Sequence, residues 1–167
     1  MRIGIALGSN LGDRVENLLI ARQSILEIPG VFTPCLSSKL YETEPVDSAP
    51  GSASFLNAVI EVECPAGPLF LLPELQAIEE RTGRPRDHGR NTPRTLDLDI
   101  LYAGDLRLHE PDLEVPHPRL HLRRFVLLPL HDIQPQLRLP RFQRTVAELL
   151  ENLNDPAQAR LFPIQWE

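Results

Sequence analysis

The chain switches repeatedly between two hydrophobic periods, and the switches mark its elements. Ile3–Leu7 is a short apolar run ending in Gly8-Ser9-Asn10, the pattern of a buried strand entering a turn. The spacing then lengthens, and Val15, Leu18, Leu19, Arg22, Ile25 and Leu26 share one helical stripe. Asp13 fits its N-cap with Glu16 three residues on, and Pro29-Gly30 ends it. Val31–Tyr41 reads as extended, and Thr43–Ala53, rich in Pro, Ser, Gly and Asp, as a mobile loop. Over Phe55–Glu63 the period falls to two: Phe55, Asn57, Val59 and Glu61 alternate with Leu56, Ala58, Ile60 and Val62, which predicts a central strand.

A second helix runs to about Arg81 and is closed by Gly83. Pro68 can open it, but Pro73 removes a ladder hydrogen bond, so a kink or a later start near Pro73 is expected. Arg84–Thr92 is a polar loop, and RTLDLDI (94–100) alternates again as a strand before a hairpin through Ala103-Gly104-Asp105. PHPR (116–119) is irregular, Phe125–Leu130 is a short helix, and Thr145 caps a last one over Val146–Leu153. The order βαββαβ predicts one α+β domain over residues 1–167, a ferredoxin-like sandwich. Its antiparallel sheet has helices on one face, and the other needs a ligand or a cover such as mobile loops.

Composition narrows the function classes. The 167 residues carry a net charge of −6, which argues against a dedicated nucleic-acid or membrane-surface protein because both partners are polyanionic. Distribution matters more than the sum, since nine of the 17 basic residues are arginines between Arg81 and Arg124. Cys35 and Cys64 have no metal-ligand spacing and read as free thiols in a reducing cytoplasm. No apolar run approaches the roughly 20 residues of a membrane span, and the apolar start MRIGIALGSN is too short for a signal peptide. The expected location is the cytoplasm.

The densest chemistry lies in RTLDLDI. Period two puts Asp97 and Asp99 on one face, although like charges repel and strands are depleted in Asp. A generic D-x-D is usually the solvated face of an edge strand. Here the alternating partners Leu96, Leu98 and Ile100 are large and apolar, so the strand belongs to the core, where an unpaired carboxylate is expensive. Arg84, Arg86, Arg90 and Arg94 precede it. Two carboxylates surrounded by arginines suit Mg²⁺-bound polyphosphate: the hard cation takes carboxylate and phosphate oxygens, and guanidinium forks neutralise the rest. One metal between the aspartates, or two about 3.5–4 Å apart, would relieve the repulsion.

GSNLGD (8–13) invites a phosphate-loop reading but lacks the lysine-bearing pattern, so structural turn chemistry is the better account. His117, between two prolines and near Arg119, Arg123 and Arg124, is either a hydrogen-bonded surface histidine or a phosphate contact. Phe55 reads as core, whereas the inward amide of Asn57 needs partners and suits the edge of a flat heterocycle.

These segments resemble the 6-hydroxymethyl-7,8-dihydropterin pyrophosphokinases, enzymes of folate biosynthesis. The likeness is carried by ALGSNLGDR (6–14), SSKLYETEPV (37–46), FLNAVIEVE (55–63), AIEERTGRPR (77–86), PRTLDLDIL (93–101), VPHPRLHLRRFVLLPL (115–130) and DIQPQL (132–137), in family order over nearly the whole chain. The resemblance implies pyrophosphoryl transfer from ATP to the pterin alcohol, with two Mg²⁺ ions held by Asp97 and Asp99. It implies that Arg84 and Arg94 engage the phosphates during transfer, and that His117, Arg123, Gln76 and Glu79 serve the nucleotide. Phe55 and Phe125 would sandwich the pterin, and Thr43, Asn57 and backbone near Val46 would meet its hydrogen-bonding edge. Many members carry Trp-Gly, whose tryptophan helps seal the closed loop over the site, where this chain has Asn91-Thr92, and Pro118 follows the histidine here without a backbone donor.

Two rivals stand beside this reading. A metal-dependent phosphohydrolase or nuclease would share the aspartates and arginines but need no aromatic slot. A ferredoxin-like binding module would hold both ligands without transfer. No exposed apolar stripe calls for a partner, so a monomer is expected, with ATP and the pterin as its small-molecule substrates.

Overall fold

A computed structural model describes residues 1–44, 51, 53–83 and 95–166. Among these, six strands form one antiparallel sheet. Its centre is β1 (Arg2–Ser9) beside β4 (Phe55–Glu63), as the unbroken alternation of Phe55–Glu63 predicts. On one side of the pair lies β5 (Asp97–Ala103); on the other lie β2 (Phe32–Ser37) and β3 (Leu40–Thr43), both paired to β4. The single extended segment expected over Val31–Tyr41 is therefore broken at Ser38-Lys39. A short strand near the C-terminus, β8 (Ala159–Phe162), completes the order β5-β1-β4-β3-β8. A ribbon of β6 (Leu108–Glu110) and β7 (Leu113–Val115) stands apart from the sheet. It corrects the hairpin expected at Gly104. The chain does turn there, with Gly104 at φ 52° and Leu106 N donating to Ala103 O, but β5 pairs with β1 and β6 pairs with β7.

Helix α1 (Arg14–Leu26) starts where Asp13 accepts a hydrogen bond from Glu16 N at 3.0 Å. Helix α2 (Pro68–Arg81) does begin at Pro68, and Gly83 at φ 96° closes it with its N–H on Glu80 O. Pro73 sits inside α2 without ending it. The carbonyl it orphans belongs to Leu69, and both residues are exposed, so water can replace the missing donor. Leu71, Leu75 and Ile78 of α2 join Leu18, Ala21 and Ile25 of α1 against Ile3, Ile5, Leu56, Ile60, Leu98 and Ile100. Each such buried aliphatic contributes about 1.5–3 kcal/mol through apolar area removed from water.

The opposite face is not left to loops alone, which amends the expected two-layer plan. Helices α3 (Arg124–Ile133) and α4 (Val146–Glu151) pack there, Val126, Leu127, Leu130, Val146 and Leu149 closing over Val59, Leu101 and Tyr102. Thr145 caps α4, as the sequence predicts, and does so through a full capping box with Glu148. Polar anchors fix α3 at its C-terminal end. Asp132 accepts from the Tyr41 hydroxyl at 3.0 Å and from Lys39 N at 3.1 Å, and Gln134 donates to buried Glu61 at 2.9 Å. Burial and Asp132 together push the Tyr41 phenol up to about 12.

Glu61 also accepts from the Tyr102 hydroxyl at 2.7 Å, across β1. Gly4 pairs with both Glu61 and Tyr102, and a Cβ on Gly4 would lie 2.1 Å from the tyrosine ring. The ring therefore occupies the space that any side chain at position 4 would need. Between Gly4 and Ile5 the β1–β5 register slips, so Ile5 faces Ile100 while Gly4 faces Tyr102. Leu101 is the extra residue of this bulge.

Neither Cys35 nor Cys64 forms a disulfide among the described residues. No helix among the described residues is long and apolar enough to cross a membrane.

Candidate active site

Three neighbouring strands build the site from one pairing rule. Gly8 of β1 lies opposite Asn57 of β4 on one side and Asp97 of β5 on the other; Ala6 lies between Val59 and Asp99 in the same way. Residues directly opposite in register share a face, so Asn57, Gly8, Asp97 and Asp99 point together to the side that α3 only half covers. Leu96, Leu98 and Ile100 point the other way, into the α1–α2 core. Period two in RTLDLDI thus yields the geometry read from it.

Gly8 keeps this face open. A Cβ there would meet Asn57 Oδ1 at 3.4 Å, Asp97 Cβ at 3.9 Å and the Phe55 ring at 4.0 Å. At these distances a Cβ would make ordinary contacts and fill the cradle without clashing. The rest of GSNLGD is structural: Asn17 donates to Ser9 Oγ at 3.0 Å and to Leu11 O at 2.8 Å. Alternating small residues on β1 (Gly4, Ala6, Gly8) were the available signal, because a strand interior gains nothing from glycine unless something approaches closely.

Ala6, Gly8, Asn57, Asp97, Asp99, Phe125 and Val126 line one hollow. The buried Asn57 amide donates to Thr43 Oγ1 at 2.8 Å, so Thr43 and Asn57 form one polar edge. Phe125 opens α3 on the far side, and the Arg123 guanidinium lies 5.4 Å from the centre of its ring, within cation–π range.

A second, larger space begins where the first ends. Leu72, Leu98, Asp99, Ile100, Leu113, Glu114, His117 and Pro118 are among the residues lining a cleft of about 660 Å³ between β5 and the β6–β7 ribbon. That volume lies within the range of small-molecule sites. Glu114 and Leu113 on the ribbon were not anticipated; strands of three residues are too short to show a period. Asp99 borders both spaces.

His117 lines the same cleft as Asp99 and is fixed in place. Its backbone N–H donates to Leu101 O at 2.8 Å, and its Nδ1 accepts from Arg119 N at 3.1 Å. Burial, then Arg123 and Arg119, hold the imidazole down to about 4, against a weaker opposing pull from Glu114 and Asp97. A neutral ring accepting at Nδ1 carries its proton on Nε2. Because the folded value lies below the ordinary 6.5, stability is fully present above that value and falls as pH drops toward 4. Thermal melts from pH 7 to pH 4 should therefore show a smaller acid loss in His117→Gln than in the native chain.

Two predicted nucleotide contacts fare differently. Glu79 accepts from Leu98 N at 2.7 Å, tying α2 to the strand that carries both aspartates. Gln76 is exposed on α2 and lines neither space. Val46, Arg84, Arg86, Arg90, Asn91, Thr92 and Arg94 lie outside the described residues.

The donor set suits magnesium. Mg²⁺ is commonly held by one or two carboxylates with substrate phosphates and water completing its shell, so Asp97 and Asp99 beside an open cradle suffice. Among the described residues no group of three or more His, Cys, Asp or Glu forms a closed metal cage.

Comparison with known proteins gives this arrangement its context. Residues 4–135 match the family model described as 7,8-dihydro-6-hydroxymethylpterin-pyrophosphokinase (HPPK). A Pseudomonas aeruginosa 2-amino-4-hydroxy-6-hydroxymethyldihydropteridine pyrophosphokinase is 43% identical over 139 residues, 83% of this chain and 84% of the relative. The Haemophilus influenzae enzyme of that name is 38% identical over 95% of this chain and 97% of its own, and the Bacillus subtilis one 42% identical over 80% and 78%. Among solved structures, wild-type Plasmodium falciparum HPPK-DHPS with pteroate superposes with a TM-score of 0.67 at 16% identity, covering 90% of this chain. The chain spans 42% of that longer protein, and a likeness at this identity speaks for the fold alone. The sequence relatives are transferases of pyrophosphoryl groups. The chain belongs to the 7,8-dihydro-6-hydroxymethylpterin-pyrophosphokinase family.

Proposed function

We propose the following division of labour for the family's reaction, in which this chain transfers pyrophosphate from ATP to 6-hydroxymethyl-7,8-dihydropterin, giving AMP and the pterin diphosphate in folate biosynthesis. One observation carries it: Asp99 stands at the junction of the Asn57–Phe125 hollow and the His117 cleft. A group that must meet acceptor and donor together belongs at such a junction.

The pterin docks over the hollow, whose own space of about 30 Å³ holds no more than a water, with its ring between Phe55 and Phe125 and its polar edge on Asn57, Thr43 and backbone near Val46. ATP takes the cleft with its phosphates toward Asp99. Asp97 and Asp99 hold Mg²⁺, with two ions expected; bound there, the metal supplies charge neutralisation along the phosphates. His117 donates its Nε2–H to a phosphate oxygen as a neutral group, and Arg123 leaves the Phe125 ring to add positive charge. Gln76 and Glu79 border the nucleotide end of α2, and Glu79 also steadies β5 through Leu98 N. Arg84 and Arg94 stabilise the charge that develops as the bond to AMP breaks. The attack is in line, by the hydroxymethyl oxygen on the β-phosphorus. It asks for positioning and charge compensation more than covalent help.

The strand order β5-β1-β4-β3, with α1 and α2 sharing one core, supports a ferredoxin-like sandwich in which α3 and α4 add a layer to the second face. The same reading takes residues 1–167 as one domain acting as a cytoplasmic monomer.

Incubation with ATP, Mg²⁺ and 6-hydroxymethyl-7,8-dihydropterin tests the reading. AMP and pterin diphosphate should appear in equal amounts, and neither should form once EDTA removes the metal. AMP released without the pterin product would overturn it in favour of a hydrolase; retention of both ligands without turnover would leave only a binding module.

A further inference from the structure

The family match ends at residue 135, yet the chain continues through α4 and β8. The segment after α4 reaches both aromatic walls of the proposed pterin slot, each through one polar residue. At the Phe125 wall, Asp155 Oδ2 accepts from Arg124 N at 2.9 Å, and the Arg124 side chain donates to Asp155 O at 3.2 Å. Arg124 is the first residue of α3 and the neighbour of Phe125. A carboxylate there satisfies an orphan amide and complements the helix dipole, which the residue before α3, Arg123, does not do with its own side chain. Asp155 is itself held, since its Oδ1 accepts from Ala157 N at 2.9 Å.

At the Phe55 wall the link is Arg14. Its Nη1 donates to Ser54 O at 2.8 Å, one residue before Phe55, and pairs with Glu42 at 2.7 Å, one residue before Thr43. The guanidinium lies 5.8 Å from the centre of the Phe162 ring on β8. Strand β8 is zipped to β3, Thr43 opposite Ala159 and Glu42 opposite Arg160, and buried Trp166 fastens the segment through a 2.7 Å bond from its indole to Ser38 O. One stretch of a dozen residues therefore bonds to the start of α3 and, through the Phe162 ring, abuts the arginine that bonds beside the start of β4.

We propose that Asp155 and Arg14 are positioning residues that set the separation of Phe55 and Phe125, so that the C-terminal segment gauges the width of the acceptor slot. The inference rests on the assignment of those two rings to the pterin. Neither residue touches a reacting atom; each acts on the backbone beside a ring. Misplacing a stacking wall weakens the flat ligand most; Arg14 acts at the far wall, whereas Asp155 holds the amide next to Arg123 and so also reaches one proposed phosphate contact.

Steady-state kinetics of Asp155→Ala and Arg14→Met, each checked for folding by thermal melt, provide the test. The pterin KM should rise about tenfold in each; the ATP KM should stay within about twofold in Arg14→Met and rise less than the pterin KM in Asp155→Ala, where Arg123 is adjacent, and kcat should move less than the pterin KM. Asp155→Asn, which keeps an oxygen acceptor, and Arg14→Lys, which keeps the charge, should recover part of the loss. Should Arg14→Met not fold, Phe162→Leu removes only the ring beside Arg14 and must raise the pterin KM in the same direction. Folded variants with unchanged pterin KM, or with both KM values raised equally, overturn the inference while leaving the transfer reaction standing. An inactive native chain would instead overturn the reading of the site itself.

Discussion

Replacing Asp97 or Asp99 by alanine should lower pyrophosphoryl transfer by at least about a thousandfold at saturating Mg²⁺, the scale of losing a charge-compensating group from a transfer site. The folded state should survive. Both side chains face the open hollow, and the residues that fasten β5, Leu96, Leu98 and Ile100, point into the α1–α2 core. Following AMP and pterin diphosphate together, with a melt on each variant, separates the two effects. His117→Gln should cost far less, because a neutral donor contributes one hydrogen bond and no charge. If Asp97→Ala and Asp99→Ala both kept nearly full activity, the metal assignment would be lost.

The largest effect on stability is expected at Gly4. A methyl group there would stand 2.1 Å from Cε1 and 2.5 Å from Cζ of Tyr102. The ring cannot swing aside cheaply: Tyr102 is buried among Val59, Val126 and Leu130, and its hydroxyl is bonded to Glu61. Burial and the Glu61 carboxylate also push its phenol well above the ordinary tyrosine range, so ionisation offers no escape. Overpacking costs about 1–3 kcal/mol, and breaking a hydrogen bond to a buried carboxylate costs about 1.5–3 more. Gly4→Ala should therefore lower stability by about 3–5 kcal/mol, roughly 10 °C or more in melting temperature for a domain this size. Thermal melts of Gly4→Ala in native and Tyr102→Ala backgrounds decide the cause. The penalty should largely vanish in the second background, because the two sites share one volume. An equal loss in both would mean that the ring is not what position 4 meets.

Much of the sheet was legible because long runs display their period. Phe55–Glu63 and RTLDLDI alternate over enough residues to fix which side chains face which way, and from that follow the shared face of Asp97 and Asp99 and the inward amide of Asn57. The ends of α1, α2 and α4 were written in Asp13, Gly83 and Thr145, each a local signal with a local cause. Strands β6, β7 and β8 left no such trace, being only three or four residues long. The place of α3 and α4 was equally hidden. Nothing local says that Asp132 will meet Tyr41 or that Gln134 will meet Glu61, contacts that span 91 and 73 residues. The carboxylate of Glu79 followed the same rule: its partner is a backbone amide on another element. Gly8 was overlooked for a different reason: its signal, the alternation of Gly4, Ala6 and Gly8, takes on meaning only once the neighbouring strands are in place.

The slip in β5 has a broader meaning. Asp99 and Tyr102 are three positions apart, an odd step that ordinary pleating would send to opposite sides. Because Leu101 is spent as a spacer, one short ribbon can present acids for chemistry at its beginning and a structural phenol at its end, on a single side. Catalysis and architecture thus divide one surface lengthwise, and the margin between them is a single amino acid wide.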